Sequence, residues 1–220
     1  MNFSLKAGLL ACLLWAAATI AADAAITPWS VSDGGRMRII ALPEGSSGEI
    51  TAIVEIEPNP GWKTYWRYPG DAGMAPAIDL SGAENLSLES IRYPAPEIGM
   101  DEGGQFIGYH TPVRLVLHLR APDPKLPSLL SANVMIGICK DLCLPFQAAF
   151  SLPLSAADQP QGDEFMRIQM AEAALPEAPS PQFRVAHSEL APDRSYFEAQ
   201  VVLPGADHPE IAAAPSEGLL

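Results

Sequence analysis

Cysteine is scarce in this sequence: 220 residues contain three, Cys12, Cys139 and Cys143. That is too few for a scaffold stapled by several disulfides, and the odd count asks for a reason. Basic residues are also few, 13 Lys and Arg against 26 Asp and Glu, for a net charge of −13. Such a chain repels phosphates, which sets nucleic-acid binding aside. Long helical patterns are missing, and 17 Gly with 22 Pro would interrupt them. Beyond the first 25 residues no apolar run approaches the ~20 residues that span a bilayer. What remains is a chain 48% hydrophobic and 18% charged, able to bury a core in one large domain or two small ones.

Residues 1–24 account for the odd cysteine. Lys6 supplies a positive start, Ala7 to Ala18 is apolar, and Ala22-Asp23-Ala24 has the small-x-small pattern of a cleavage site. The segment reads as a secretory signal peptide cut after Ala24, with Ala21 as the neighbouring option. Leu9-Leu10-Ala11-Cys12 also has the look of a lipobox, but the apolar run continues past Cys12. Cleavage removes Cys12, and it leaves the charge at −13 because Lys6 and Asp23 depart together. The mature chain is then expected in the periplasm, with no transmembrane segment and two cysteines.

From residue 25 to 155 the pattern is strand after strand. Met37 to Leu42 and Ile50 to Glu57 are rich in Ile and Val; Val113 to Leu119 and Ala132 to Ile138 alternate apolar residues at a period of two. Phe146, Ala148, Phe150 and Leu152 alternate again. Turns are marked by Pro58-Asn59-Pro60-Gly61, Pro69-Gly70-Asp71, Pro94-Ala95-Pro96 and Pro122-Asp123-Pro124. Short strands without helical crossovers predict an all-β antiparallel sandwich rather than a parallel α/β fold. Residues 156–181 read as a linker holding a short helix over Asp163 to Leu175. Within 182–220, Gln182 to Val185 and Ser195 to Leu203 read as two strands of an incomplete or docked β segment.

Cys139-Lys140-Asp141-Leu142-Cys143 is the one constellation with chemical content. A strand enters Cys139 and another leaves Cys143, so the pair brackets a hairpin loop. Cross-strand partners lie close enough for a small adjustment to close a disulfide. Alternation sends Ala132, Val134, Ile136 and Ile138 to the core and Cys139 to the opposite face, where a partner can reach it. Three readings of the pair stand side by side. A staple across a loop of about five residues gains only about 2 kcal/mol in the chain-entropy model, which favours a cycling disulfide over a structural one. The third is copper(I) held by both thiolates and His110. His118, on the polar face of an alternating strand, reads as a solvated histidine.

Gly61-Trp62-Lys63-Thr64-Tyr65-Trp66-Arg67-Tyr68-Pro69-Gly70-Asp71, then Gln105-Phe106-Ile107-Gly108-Tyr109, then Gly137-Ile138-Cys139 to Cys143-Leu144-Pro145 are further informative. Together they resemble the N-terminal periplasmic domain of the thiol:disulfide interchange protein DsbD, in the version carried by its copper-tolerance relatives of the ScsB type. The resemblance covers about residues 30–155. It implies an immunoglobulin-like sandwich and a thiol–disulfide oxidoreductase component. Cys139 and Cys143 would relay electrons from a membrane-embedded thiol donor to thioredoxin-like or other exported proteins, with no cofactor. It also implies a cap loop, with Phe106 as the shielding ring, Gly104 and Gln105 beside it and Gly103 and Gly104 as hinges. Tyr65, Trp66 and Tyr68 would surround the pair. The family carries acidic residues directly before its cap aromatic; here Gly104 and Gln105 stand there, and Asp101 and Glu102 lie upstream. The family's membrane and thioredoxin-like domains are absent from these 220 residues, so the resemblance implies a separate electron donor.

Overall fold

The computed structural model describes residues 26–43, 47–71, 73–101, 104–154, 163–205 and 212. The expected signal peptide, with Cys12, lies outside these, as do Glu102 and Gly103. Alternating apolar residues build two antiparallel sheets. In the first, β1 (Ser30–Ser32), β2 (Gly35–Pro43) and β3 (Glu49–Pro58) lie side by side, followed by β9 (Val113–Arg120) and then β6 (Ser87–Arg92). In the second the order is β11 (Cys143–Leu154), β10 (Ser128–Cys139), β4 (Lys63–Gly70), β8 (Gly104–Tyr109) and β7 (Glu97–Asp101), with the short β5 (Ala77–Asp79) also pairing with β10.

The two sheets share one core. Met37, Ile39, Val54, Leu115 and Leu117 from the first meet Leu130, Val134, Ile136, Ile138 and Phe150 from the second, all buried. Burying each such side chain contributes roughly 1.5–3 kcal/mol, so this face-to-face contact dominates the stability. The fold is an all-β, immunoglobulin-like antiparallel sandwich with a C-terminal helix and a separate β segment.

The outer face of the first sheet is covered as well. Ile40, Ile53 and Val116 form a second buried cluster with Ile168 and Ala171 of α1 (Glu164–Ala173). That explains why β3 reads as a nearly continuous apolar run: both of its faces are buried. The helix also changes the reading of His118. Its Nε2 lies 3.0 Å from Glu172 Oε1 on α1, and its Nδ1 lies 3.2 Å from Ser90 Oγ. The imidazole expected in open solvent therefore ties the helix to the sheet.

Glu55 sits at the centre of this second interface, fully buried. Its register partners Arg38 and Arg114 reach it at 2.7 and 2.8 Å, and Arg167 of α1 at 3.2 Å. Burial pushes its carboxyl up, but the hydrogen bonds and charges of Arg38 and Arg114 outweigh that and hold it below the usual carboxylate range.

The second β segment is a hairpin of β12 (Arg184–Leu190) and β13 (Phe197–Val202), which among the described residues form a two-stranded sheet of their own. β12 begins two residues later and runs five residues further than the sequence pattern indicates. Every residue of β12 is exposed, so no one-sided burial imprinted an alternation there to be read. Phe183, Val185 and Val201 of this segment face Trp66, Tyr93 and Pro96 of the sandwich across an apolar cavity of about 590 Å³.

Glu55→Gln leaves three guanidinium groups without their shared carboxylate and is expected to cost about 3 kcal/mol in denaturant unfolding. The pH dependence has a definite sign. Because the folded state holds Glu55 low, its contribution is complete above the ordinary carboxylate range and is lost as pH falls through the lowered value. The variant should therefore lose less stability than the parent on acidification.

Candidate functional site

The site is built on the outer face of the second sheet, away from the core. Ile138 points inward and is buried, so its neighbour Cys139 points outward. Register then sets what accompanies it. Cys139 pairs with Cys143 on β11 and with Lys63 on β4, and Tyr65 on β4 pairs with Gly108 on β8. Two residues along β8, Phe106 shares that face and pairs with Gly99 of β7, while Asp101 pairs with Gly104. Alternation thus places both cysteines, Lys63, Tyr65, Phe106 and Asp101 on one surface.

Cys139 and Cys143 are joined in a disulfide, their Cα atoms 4.1 Å apart across the hairpin. Cys139 packs with Tyr65 and Phe106 in a small buried cluster, and Cys143 lies at its margin. One expectation needs correction here. Cys139 does lie opposite the core, but it is not open to a partner: it is only 1% exposed, because Tyr65 and Phe106 cover it. Its neighbours at the loop tip are the reachable groups, Leu142 being 71% exposed.

Tyr65 is the polar contact of the pair. Its Oη lies 3.2 Å from Cys143 Sγ. Burial, and secondarily the Asp101 carboxylate, pushes the phenol above its ordinary value, so it stays a neutral O–H at any physiological pH. Bonded to a disulfide it donates weakly; toward a thiolate it becomes a charge-assisted donor.

Phe106 is buried against the pair, and the chain makes room for its ring. A Cβ at Gly99 would fall 2.1 Å from Phe106 Cε1, so only glycine fits beneath the ring. Gly104 has φ of +106°, a left-handed conformation that glycine alone adopts without strain. Asp71 fastens the same segment from the β4 side. Its Oδ2 accepts from the Gln105 backbone N–H at 2.9 Å, and its own N–H donates to the Gln105 carbonyl at 2.9 Å.

Lys63 Nζ forms an ion pair with Asp101 Oδ2 and lies 4.8 Å from the Phe106 ring centroid. The remaining sequence candidates fall elsewhere. Trp66, one position out of phase with Tyr65, packs in the main core, and Tyr68 is exposed within the irregularity between Tyr65 and Gly70 on β4. His110 stacks edge-on against Phe106 with centroids 4.9 Å apart, and its Nδ1 lies 2.9 Å from Glu97 Oε2. Among the described residues no three His, Cys, Asp or Glu side chains come together as a metal site.

Lys63, Asp71, Gly99 and Asp101 are the residues that sequence reasoning left without a role here. Lys63 was within reach of it, since strict alternation with Tyr65 puts the two on one face. Gly99 was not, because nothing local marks a glycine as the floor beneath a ring seven residues away.

The site is thus a disulfide on a short hairpin, sheltered under aromatic rings on the outer face of a sandwich. Residues 38–155 match the family described as "Thiol:disulfide interchange protein DsbD, N-terminal", and the chain belongs to that family. Among solved structures it is similar to the N-terminal periplasmic domain of ScsB from Proteus mirabilis, with 26% identity and a TM-score of 0.57. That match covers 73% of this chain and 63% of the other, so the chain spans less than two thirds of that relative's length. More distant are the reduced N-terminal domain of DsbD from Neisseria meningitidis and the GAE domain of yeast GGA1. The first is 17% identical, covers 60% of this chain and 86% of the other, and has a TM-score of 0.34. The second is 13% identical, covers 59% and 97%, and has a TM-score of 0.34. No match was found among curated proteins. Among the described residues no helix is long and apolar enough to cross a membrane.

Two substitutions test this geometry. Gly99→Ala is expected to displace the Phe106 ring, cost about 1–3 kcal/mol through overpacking, and speed alkylation of the reduced cysteines by iodoacetamide. Tyr65→Phe removes the hydrogen bond to Cys143 Sγ and should slow alkylation of reduced Cys143 by iodoacetamide at neutral pH roughly tenfold.

Proposed function

We propose that this chain is an exported electron-relay module that cycles the Cys139–Cys143 disulfide between a membrane-embedded thiol donor and thioredoxin-like partners in the periplasm. The observation that carries the reading is the coverage of the pair: a disulfide under Tyr65 and Phe106, with one sulfur buried and the other at the margin. Access to such a pair is controlled, which a staple does not require.

The chemistry follows from which sulfur is reachable. A donor thiolate attacks Cys143 Sγ, the less buried of the two, and forms a mixed disulfide while Cys139 leaves as thiolate. The donor's second thiol resolves the mixed disulfide, so the donor dithiol becomes a disulfide and both cysteines are reduced, with two electrons and two protons transferred. In the second half-reaction Cys143 thiolate, stabilised by the Tyr65 O–H, attacks a partner disulfide, and Cys139 resolves the intermediate. Cys139 and Cys143 are the catalytic pair in this scheme. Phe106, Gly104 and Gln105 form the cap, and no cofactor takes part.

Reduced protein mixed with an oxidised thioredoxin-like protein tests the proposal by gel-shift alkylation. Stoichiometric exchange is expected. Cys139→Ser should accumulate a covalent mixed disulfide, and Cys143→Ser should form little. A pair that resists millimolar dithiothreitol and yields no mixed disulfide would make it a structural staple. Absence of exchange together with stoichiometric copper(I) binding, lost in both serine variants under anaerobic titration, would instead make it a copper module.

A further inference from the structure

The order of strands in the second sheet places β8 between β4 and β7. Lys63 stands on β4, Asp101 on β7, and Phe106 on the strand between them, all on the outer face. The Lys63–Asp101 ion pair therefore passes over the strand that carries the cap ring, with the ammonium 4.8 Å from the ring centroid. On its other side Lys63 is the cross-strand partner of Cys139. The lysine side chain is 10% exposed, against 36% for Asp101. An ammonium held that far from water needs its counter-charge, so the pair is not an incidental surface contact.

We propose that Lys63 and Asp101 form an ionic clasp that positions Phe106 over the disulfide, and that breaking the clasp is a condition of opening the site. This rests on the exchange reading above and names the groups that regulate it. Both are positioning residues: they act on the sulfurs through the ring. Lifting Phe106 takes the ring away from the ammonium and disturbs the carboxylate that pairs with it, so cap and clasp move together. Asp71 holds the adjacent backbone through Gln105 and anchors the start of the moving segment. Asp101 sits upstream of the cap and closes it through a lysine.

The test is the rate at which dithiothreitol, a small neutral dithiol, reduces the disulfide of the full chain, read by quenching and gel-shift alkylation. Asp101→Asn and Lys63→Met are expected to accelerate reduction roughly fivefold to thirtyfold, the span of a cation–π contact from exposed to desolvated. Asp101→Glu and Lys63→Arg, which keep the pair, should stay within about twofold of the parent on the same scale. Should Lys63→Met fail to fold, Asp101→Asn, at the more exposed partner, carries the comparison. A double-mutant cycle separates positioning from direct action on sulfur. In a Phe106→Ala background the acceleration by Asp101→Asn should vanish, because there is no ring left to hold. An unchanged or slower rate in Asp101→Asn overturns the clasp, and so does an equal gain with and without Phe106. Failure of exchange with a thioredoxin-like protein while the Asp101→Asn effect persists would remove the relay function and leave the clasp standing.

Discussion

Side chains alternate along a strand, and along β10 that alternation ends with Ile138 in the core and Cys139 outside it. Every other feature of the site follows from this parity. Cross-strand pairing carries it to Lys63 on β4 and Cys143 on β11, and from Tyr65 it passes to β8 and β7. A slip of one residue in any of these strands would send its share of the site into the apolar core. The register is held because the opposite face is buried: Val134, Ile136 and Ile138 cannot leave the sandwich without exposing its interior. The large core thus acts on the chemistry indirectly, by setting which residues share the outer surface.

The parts of this arrangement that were legible in the sequence are those with a one-sided burial pattern. β9, β10 and β11 alternate cleanly, and the position of the disulfide follows from them. β4 and β8 were harder to read, because aromatic, basic and glycine residues replace the aliphatic signal and Pro69 suggests a turn where the strand continues. Phe106, Tyr65 and the glycine at 104 were accessible only through family likeness, since a shield is defined by what it covers. The Lys63–Asp101 pair joins residues 38 apart in sequence and depends on three strands being neighbours. Local pattern contains no trace of such a contact. His118 shows the opposite failure. Its strand was read correctly, but the helix that packs over it comes from residues 54 positions later.

Two buried charged groups mark the two outer faces of the sandwich, and their surroundings assign them different work. Glu55 is fully buried and answered by three guanidinium groups from β2, β9 and α1, all converging on one carboxylate. Nothing there offers a way out: opening it means undocking the helix and the second apolar cluster together. Among the described residues Lys63 is answered by the Asp101 carboxylate, which is one-third exposed, beside the Phe106 ring. The first arrangement resists movement from several directions. The second rests on an ion pair whose carboxylate is partly open to solvent.

That contrast bears on why a disulfide of such low structural value is buried at all. Closing a loop of about five residues constrains the unfolded chain by about 2 kcal/mol, a contribution that a few core methyl groups would match. Shelter for it has drawn in Tyr65, Phe106 and two glycines, whose backbone freedom is itself unfavourable to folding. Stability alone does not explain that arrangement, because an exposed disulfide would stabilise the hairpin equally well. Coverage does alter which thiols can arrive. In the proposed relay a small reductant must wait for the ring to move, whereas a docked protein would displace it with contacts of its own, the exposed Leu142 at the hairpin tip being within its reach. Under the proposed relay, the cover keeps a reactive pair for particular partners. The Lys63–Asp101 ion pair over β8 lies where such control would be exercised.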